Sequence, residues 1–351
     1  DRESVPFSWY VTCGMPAYLH LAGVRYDRAF RESDAIVQAF ESGEPKAREL
    51  FGSEVRYDPP GWPGISYSHV NCLGAPLSFP EGSEVAVTPI HHSLDEGIKA
   101  LDRETDWAQS GMMPFYLELW AKLKGAFPEL SIPFRGCGVE GPITTAWELR
   151  GHDFFMDAYD DIEKYHAYMT RVTRSIVDYF DFLRQVNGEP VRPTEMGMCD
   201  DISAMISPAR WPEWVIPYHE QYYALQSDGP RHAHIENFVP DHLPHLDTVG
   251  LASFDPSVSQ RLKATDLRDR CSVSFWWRLN AMQLRDFTLE QVREYVFGGV
   301  ADGASGVFLN ITRSTLFPEA VAKIHAFMQA SRDVEAKLKN GCTRDRLREE
   351  I

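Results

Sequence analysis

The residues best suited to chemistry lie in one short segment, residues 231–237, which reads R-H-A-H-I-E-N. In an extended strand alternate side chains share a face, so His232, His234 and Glu236 point the same way. An imidazole and a carboxylate two residues apart can bind one divalent metal ion, and His with Asp or Glu is a normal zinc ligand set. The alternative is a hydrogen-bonded His–Glu pair, because a single two-residue spacing is a weak signal.

Asp255 is the natural third member of this group. It ends the apolar run before Pro256, so in a parallel sheet it would neighbour His234 and Glu236. Three ligands from adjoining strands leave a zinc ion with an open position for substrate. We therefore predict a metal site of His234, Glu236 and Asp255. The alternative is that Asp255 caps the helix that follows Pro256.

Two adjacent carboxylates, Asp200 and Asp201, follow another candidate strand. Neighbouring residues of a strand face opposite sides, so one of the two is expected to point inward. The inward carboxylate could act as a base, bind substrate or orient a metal ligand, and both are predicted here as catalytic residues. A helix cap or a loop contact is the alternative role for either aspartate.

A further strand ends in a run of large aromatic residues. Trp276 and Trp277 precede Arg278, and Asn310 ends the last candidate strand. Aromatic side chains at a strand end could line a pocket for a flat substrate, although core packing is the commoner explanation. These four residues are predicted to bind substrate.

A repeated order of elements would bring these residues together. From about residue 93 onward, helical patterns alternate with short apolar runs that end in polar residues. This alternation implies a parallel sheet with right-handed crossovers, and the 351 residues fit one closed (β/α)₈ TIM barrel. In such barrels the chemistry lies at the carboxyl ends of the strands. Residues 1–90 are predicted as an N-terminal elaboration packed on a barrel of residues 91–351, in one structural domain. The candidate strands are 195–201, 231–236, 251–255, 272–277 and 306–310.

Composition excludes several classes of function. Asp and Glu number 51 against 35 Lys and Arg, a formal net charge of -16, which repels nucleic acid. The sequence has no run of eighteen apolar residues, so no membrane span is predicted. Six scattered cysteines without a C-x-x-C pair are typical of a reduced, cytoplasmic protein. Phosphate loops, dinucleotide fingerprints and the G-x-S-x-G elbow are absent from the sequence.

Several segments together resemble the uroporphyrinogen-decarboxylase superfamily. Residues 141–151 resemble its G-P-x-T-x-A…L-x-G segment, and Asp200-Asp201 followed by residues 206–208 resembles its D-D…S-P segment. Residues 234–237 resemble its H-x-C-G strand end, and residues 73–76 its early L-G-A segment. The resemblance implies a (β/α)₈ barrel. The superfamily includes decarboxylases and the methyltransferases that move methyl groups to or from a corrinoid protein or coenzyme M.

The departures from the family pattern indicate which branch this sequence resembles. The decarboxylases carry R-Q-A-G-R-Y near their start, but residues 9–16 contain no arginine to hold substrate carboxylates. His234 matches the histidine of the zinc methyltransferases, whereas Glu236 stands at their first cysteine position. Their later cysteine would fall around Asn310 or Ile311. Asp255 stands about where distantly related zinc methyltransferases place a Glu, so the implied site is rich in oxygen ligands.

An oxygen-rich zinc site polarises an ether or phenolate oxygen better than it activates a thiol. We therefore predict a methyltransferase that takes a methyl group from a small methylated substrate, best a methoxylated aromatic compound. The acceptor would be a corrinoid carried by a partner protein. Three alternatives remain open: a metal-free decarboxylase or lyase acting through Asp200 or Asp201, a non-catalytic binding protein, and methyl transfer from a quaternary amine. The oligomeric state is open, a homo-oligomer included.

Overall fold

A curled sheet of seven parallel strands forms the centre of the molecule. The structure, a computed structural model, describes residues 5–351. In space the strands follow the order β2-β1-β9-β8-β7-β6-β5, and β3 and β4 form a separate antiparallel pair. The strands are β1 Ser8–Cys13, β2 Arg56–Tyr57, β3 Leu77–Ser78, β4 Ala86–Val87, β5 Met196–Cys199, β6 Arg231–His234, β7 Ser253–Asp255, β8 Ser274–Arg278 and β9 Gly306–Ile311.

Irregular segments bridge the gap between the two edge strands, β2 and β5. Ile65 forms a parallel bridge with Cys137. Four residues later the Gly141 amide donates a hydrogen bond of 2.5 Å to the Cys199 carbonyl at the end of β5. The sheet thus curls toward closure, as the predicted TIM barrel requires.

Helices follow the strands and cover the outside of the sheet, as the alternating pattern predicted. The sequence T-L-E-Q at residues 288–291 predicts a capping box, and Thr288 and Gln291 do exchange hydrogen bonds at the start of α14 (Leu289–Ala301). The longest helix, α8, has 26 residues. The helices are α1 Met15–Ala22, α2 Ser33–Phe51, α3 Ser68–Cys72, α4 Leu94–Leu101, α5 Met113–Ala126, α6 Pro142–Arg150, α7 Phe154–Asp160, α8 Ile162–Asn187, α9 Trp211–Trp214, α10 Ile216–Gln226, α11 Pro244–Val249, α12 Ala264–Arg270, α13 Ala281–Asp286, α14 Leu289–Ala301, α15 Ala320–Lys339 and α16 Arg344–Arg348.

One predicted helix is divided. The pattern predicts a continuous helix from Ser207-Pro208 to about Leu225, but the chain forms a 3-10 turn, α9 and then α10. Pro212 lies in the first turn of α9 and Pro217 in the first turn of α10. Proline lacks the amide that a continuing helix needs, so each marks a new start.

The strands separate an apolar outer face from a polar inner face. Outward side chains such as Val11, Val307 and Leu309 are fully buried against the helices. On the inner face of β5, Gly197 and Cys199 remain exposed while Met196 on the outer face is buried. The barrel therefore has an open interior at the carboxyl ends of its strands, where side chains can meet a ligand.

The N-terminal segment belongs partly to the barrel itself. β1 pairs with β9 over six residues, from Ser8 opposite Gly306 to Cys13 opposite Ile311, and β2 extends the same sheet. The predicted division at residue 90 therefore does not separate an elaboration from the barrel, and residues 1–4 of that range lie outside the described part. Over residues 5–351, no helix has the length and apolar character needed to cross a membrane.

Candidate functional site

His234 occupies the centre of the candidate site, on the inner face of β6. Its Nδ1 atom lies 2.7 Å from Asp255 Oδ2, because β6 and β7 place the two residues in direct register. Its Nε2 atom faces the open interior, 3.9 Å from Asp201 Oδ1 and 3.8 Å from Glu236 Oε1. One imidazole is thus surrounded by three carboxylates that come from the ends of β5, β6 and β7.

These carboxylates favour the positively charged imidazolium. Burial by itself lowers the pKa of His234, but the hydrogen bond and charge of Asp255, with the charges of Asp201 and Glu236, outweigh it. The pKa of His234 therefore stands above its ordinary value. For Asp201, burial raises the pKa of the carboxyl above its usual range.

Hydrogen bonds fix the loops that carry the acidic residues. Asp201 Oδ1 accepts the Glu236 amide at 2.8 Å, and Asp255 Oδ1 accepts the Ser257 amide at 2.8 Å. The Ser257 hydroxyl donates to Glu236 Oε1 at 2.7 Å. Ser257 and Asn237 have φ angles of 39° and 59°, in the left-handed region that side chains rarely adopt. Such turns cluster where a loop must present particular groups.

Asp200, predicted as catalytic beside Asp201, is completely buried on the other side of the loop. Its carboxylate accepts the Thr144 amide at 2.7 Å in the first turn of α6, and it lies 2.6 Å from His219 Nε2. A Cβ atom at Gly141 would come within 2.5 Å of the Asp200 Cβ atom and 2.7 Å of its carboxylate carbon. Asp200 therefore caps a helix and holds the core together, and only Asp201 faces the site.

Three of the four predicted substrate-binding residues face the barrel interior, and one faces the helices. Trp276 and Arg278 face the barrel interior, where Trp276 lies beside Tyr10 at 5.2 Å between ring centroids. Trp277 faces outward and stacks on Tyr295 of α14 at 6.1 Å, so it belongs to the layer between sheet and helices. Asn310 faces inward from β9.

Asn310 belongs to a register row of inner-face residues that crosses β9, β1 and β2. Its Oδ1 atom accepts a hydrogen bond of 2.8 Å from the Thr12 hydroxyl, directly across β1 and β9. Thr12 in turn stands opposite Arg56 of β2. These residues extend the inner wall beyond the aromatic rings.

Several residues of the site carried no recognisable signal in the sequence. Tyr10 and Arg56 lie in the segment predicted as an elaboration, and Ser257 lies in a loop. Glu140 is also close: burial raises the pKa of its carboxyl to about 7, with smaller contributions from Asp201 and Asp200. Gly141 and Pro142, directly after it, belong to the segment that resembles the family, whereas Glu140 itself lies outside that segment.

The Cys199 thiol belongs to the same inner surface, in register with His234. Burial, and then the charges of Glu140, Asp201 and Asp255, raise the pKa of this thiol to about 12. The thiolate form is therefore rare at neutral pH.

The sequence profile described as Uroporphyrinogen decarboxylase (URO-D) matches residues 68–334, about three quarters of the chain. The chain belongs to the uroporphyrinogen decarboxylase family. Among solved structures, a methyltransferase from Methanosarcina mazei superposes with a TM-score of 0.66 at 15% sequence identity, covering 94% of each chain. That likeness confirms the fold. No curated protein sequence gives a significant match.

The metal site of His234, Glu236 and Asp255 was predicted from residues at adjoining strand ends, together with a resemblance to zinc methyltransferases. Asp255 bonds to Nδ1 of the imidazole, whereas Glu236 faces Nε2 on the other side of the ring. A metal ion on Nε2 would be out of reach of Asp255. In the part of the chain that the structure describes, no group of three or more His, Cys, Asp or Glu side chains could hold a metal ion. As arranged, the predicted triad does not fit zinc.

Proposed function

We propose that this chain is a methyltransferase that removes a methyl group from a small methylated substrate, with a methoxylated aromatic compound as the donor. The acceptor would be a corrinoid carried by a partner protein. Family membership and a fold shared with a protein named as a methyltransferase support this proposal. The observation that carries it is the His234 imidazole, held by Asp255 with its second nitrogen directed into the open barrel.

Breaking a methyl–oxygen bond leaves negative charge on the oxygen. A proton donor at that oxygen lowers the barrier, because the leaving group departs as a neutral hydroxyl. His234 suits this role: Asp255 fixes the ring through Nδ1, and the surrounding carboxylates raise the pKa of the ring, which favours a proton on Nε2. The Asp–His pair thus orients the ring and stabilises its charged form, as in other enzymes that use this pairing.

In the proposed reaction the electron pair of the methyl–oxygen bond stays on oxygen, which takes the Nε2 proton of His234. The corrinoid, when its partner protein delivers it, supplies the nucleophile that accepts the methyl group. Burial raises the pKa of the Asp201 carboxyl, which lies 3.9 Å from Nε2 and can return a proton to the ring for the next cycle.

Zinc at this site stays a prediction that the proposed chemistry does not require. Only Nε2 of His234 points toward space that a metal ion could enter, and Asp255 would then orient the ring rather than bind metal. Elemental analysis of the wild type and of His234→Ala tests this. Near-stoichiometric zinc that is lost in the variant would indicate that Asp201 or Glu236 moves to complete a ligand set.

The experiment that tests the function is a methyl-transfer assay. Reduced cobalamin replaces the partner protein, and methoxybenzene, 4-methoxyphenol and 4-methoxybenzoate serve as donors. We expect the wild type to demethylate at least one donor and His234→Gln to lose at least about 100-fold in kcat, the typical contribution of a general acid. His325→Gln, an exposed histidine bonded to the Leu50 carbonyl, is the matched control. Absence of transfer from every donor would contradict the proposal.

A metal-free decarboxylase or lyase is the second candidate. It is favoured by one observation, the closeness of Asp201 Oδ1 to His234 Nε2, which lie 3.9 Å apart. Such a pair can protonate a carbanion formed when carbon dioxide leaves. Release of carbon dioxide from an aromatic acid without any corrinoid, abolished in Asp201→Asn, would establish this reaction instead.

A further inference from the structure

The inner surface of the barrel is divided into two halves of opposite character. On β5, β6 and β7 it carries the imidazole and the acidic residues of the site. On β8, β9, β1 and β2 it carries aromatic rings and two guanidinium groups, Arg278 and Arg56. The chain has a formal net charge of -16, yet this half of the inner surface is positively charged because it carries two arginines.

Arg278 is held in place without being neutralised. Its Nη1 group donates a hydrogen bond to the Ser257 hydroxyl at 2.7 Å, and this hydroxyl in turn donates to Glu236 Oε1. Among residues 5–351, no carboxylate oxygen lies within 4.0 Å of its guanidinium, whereas most arginines of the chain have such a partner. Its Nε atom is buried and has no hydrogen-bond partner in the described chain. A buried donor without a partner costs free energy that a ligand acceptor can recover.

The neighbours of Arg278 form a wall suited to a flat ring. Arg278, Phe308 and Tyr10 stand in one register row across β8, β9 and β1. Tyr10 stacks on Phe308 at 5.0 Å, and Trp276 lies 5.2 Å from Tyr10. The Arg278 guanidinium is 5.9 Å from the Phe308 ring centroid.

Arg56 adds a second positive group above this wall. Its guanidinium carbon lies 4.9 Å from the Tyr10 ring centroid, and its side chain is exposed toward the open end of the barrel. A planar anion that reached Arg278 would pass this group on its way in. Guanidinium groups bind carboxylates through paired N–H donors, and exposed ones attract anions during approach.

We propose that the aromatic substrate carries a carboxylate, which Arg278 binds while the ring packs on Trp276 and Tyr10, with the buried Phe308 supporting Tyr10 from behind. Binding of an aromatic carboxylate stands on these residues alone; its role as methyl donor rests on the proposed function. The Ser257 hydroxyl connects Arg278 to Glu236, which lies 3.8 Å from His234 Nε2, so a ring bound at Arg278 would lie near the proposed acid. The recognition of an anion also disfavours a quaternary amine as substrate, because Arg278 would repel it.

Binding of small probes to the intact protein tests this inference without any turnover. Isothermal titration compares 4-methoxybenzoate with methoxybenzene, which lacks the carboxylate, and with benzyltrimethylammonium, which is cationic. We expect 4-methoxybenzoate to bind at least about tenfold more tightly than either. Arg278→Gln should weaken its binding by roughly 10- to 100-fold, the usual range for a charge-assisted hydrogen bond.

A control variant and a partial substitution keep the test decisive. Arg285→Gln removes an exposed arginine that is paired with Asp286 on α13, and should leave binding unchanged. Arg278→Lys keeps the charge without the planar donors and should restore part of the affinity. Thermal unfolding verifies that each variant is folded.

The outcomes separate the two proposals. Tight binding of 4-methoxybenzoate that depends on Arg278, without methyl transfer from any donor, would support the carboxylate site and contradict the proposed methyltransferase activity. Methyl transfer from 4-methoxybenzoate at the same kcat/KM in wild type and Arg278→Gln would contradict the carboxylate site alone. Tighter binding of benzyltrimethylammonium than of 4-methoxybenzoate would also overturn it.

Discussion

The charge on His234 depends on Asp255, the carboxylate that bonds to its Nδ1 atom. Asp255→Asn removes both the orienting contact and a negative charge that helps raise the pKa of His234. Because the protonated ring is the proposed acid, its activity is lost as pH rises through that pKa. We expect the alkaline limb of the kcat profile to move to lower pH in the variant, with kcat at neutral pH reduced at least about tenfold. NMR titration of the ring protons measures the shift directly.

The control for this experiment is Asp286→Asn, an exposed aspartate on α13 that is paired with Arg285. It removes the same charge from the molecule at a distance from the site, and its profile should match that of the wild type. An unchanged titration of His234 in Asp255→Asn would contradict the assignment of Asp255 as the residue that keeps the ring protonated.

Glu148 on α6 gives a prediction about stability rather than activity. Its side chain is buried, and neither carboxyl oxygen has a hydrogen-bond partner among the described residues. Burial, with smaller effects of Glu140 and Asp200, raises the pKa of Glu148 well above its usual range. The folded protein therefore holds a proton that the unfolded chain releases, so the free energy of unfolding falls as pH rises above the ordinary carboxyl range.

Glu148→Gln should remove this dependence, because the neutral amide replaces the neutral acid. We expect urea unfolding to show a gain of about 1 kcal/mol or more at pH 8 relative to wild type, and a smaller gain at pH 5. Glu118→Gln, an exposed residue of α5 paired with Lys122, should change stability little at either pH. A gain of the same size at both pH values would show that the carboxyl is not protonated in the folded state.

At the scale of elements, the loop after β5 carries two neighbouring aspartates, of which Asp200 has a structural role and Asp201 faces the candidate site. Asp200 caps α6 and bonds to His219, so Asp200→Ala should cost about 3 kcal/mol or more in urea unfolding. Asp201 makes one hydrogen bond to the Glu236 amide and is partly exposed, so Asp201→Ala should cost roughly 1 kcal/mol but strongly reduce turnover. Equal losses of stability in the two variants would contradict this division.

The packing of β8 on β9 fixes the aromatic wall, and Gly306 is the residue that permits it. A Cβ atom at this position would come within 2.4 Å of the Trp276 ring. Gly306→Ala should therefore displace Trp276, changing near-ultraviolet circular dichroism and weakening 4-methoxybenzoate binding. Gly197→Ala is the matched control on β5, where a new Cβ atom would meet nothing within 4 Å. Unchanged spectra and affinity in Gly306→Ala would show that Trp276 does not contact the ligand.

The sequence predicted the later strands because each is a short apolar run bounded by loops and helices. β1 was missed since its residues 8–13 lie in a stretch rich in Pro, Gly and aromatics, and β2 is only two residues long. Trp276 and Trp277 were both predicted to bind substrate, although neighbouring residues of a strand face opposite sides, and the structure shows that Trp277 faces the helices. The predicted set of three metal ligands depended on which nitrogen of His234 meets Asp255, and spacing along a chain does not contain that information.

At the scale of the whole molecule, the barrel is closed unevenly. β1 and β9 are paired over six residues, whereas between β2 and β5 the described contacts include the bridge of Ile65 with Cys137 and the bond from Gly141 to Cys199. We expect hydrogen exchange to be faster at the amides of Ile65 and Gly138 than at those of β9, because this region opens at lower cost than the central strands. Equal protection in both regions would indicate that the barrel opens only as a unit.

The exposure of two thiols has a practical consequence for work with the purified protein. Cys199 is exposed to the barrel interior, and Cys342 is partly exposed near the end of α15. Because the pKa of its thiol is raised to about 12, almost none of it is the reactive thiolate near pH 7. Alkylating labels and peroxide should therefore react slowly there, and a maleimide dye should mark the partly exposed Cys342 first. A fluorophore could thus be attached near the C-terminus without blocking the mouth of the barrel.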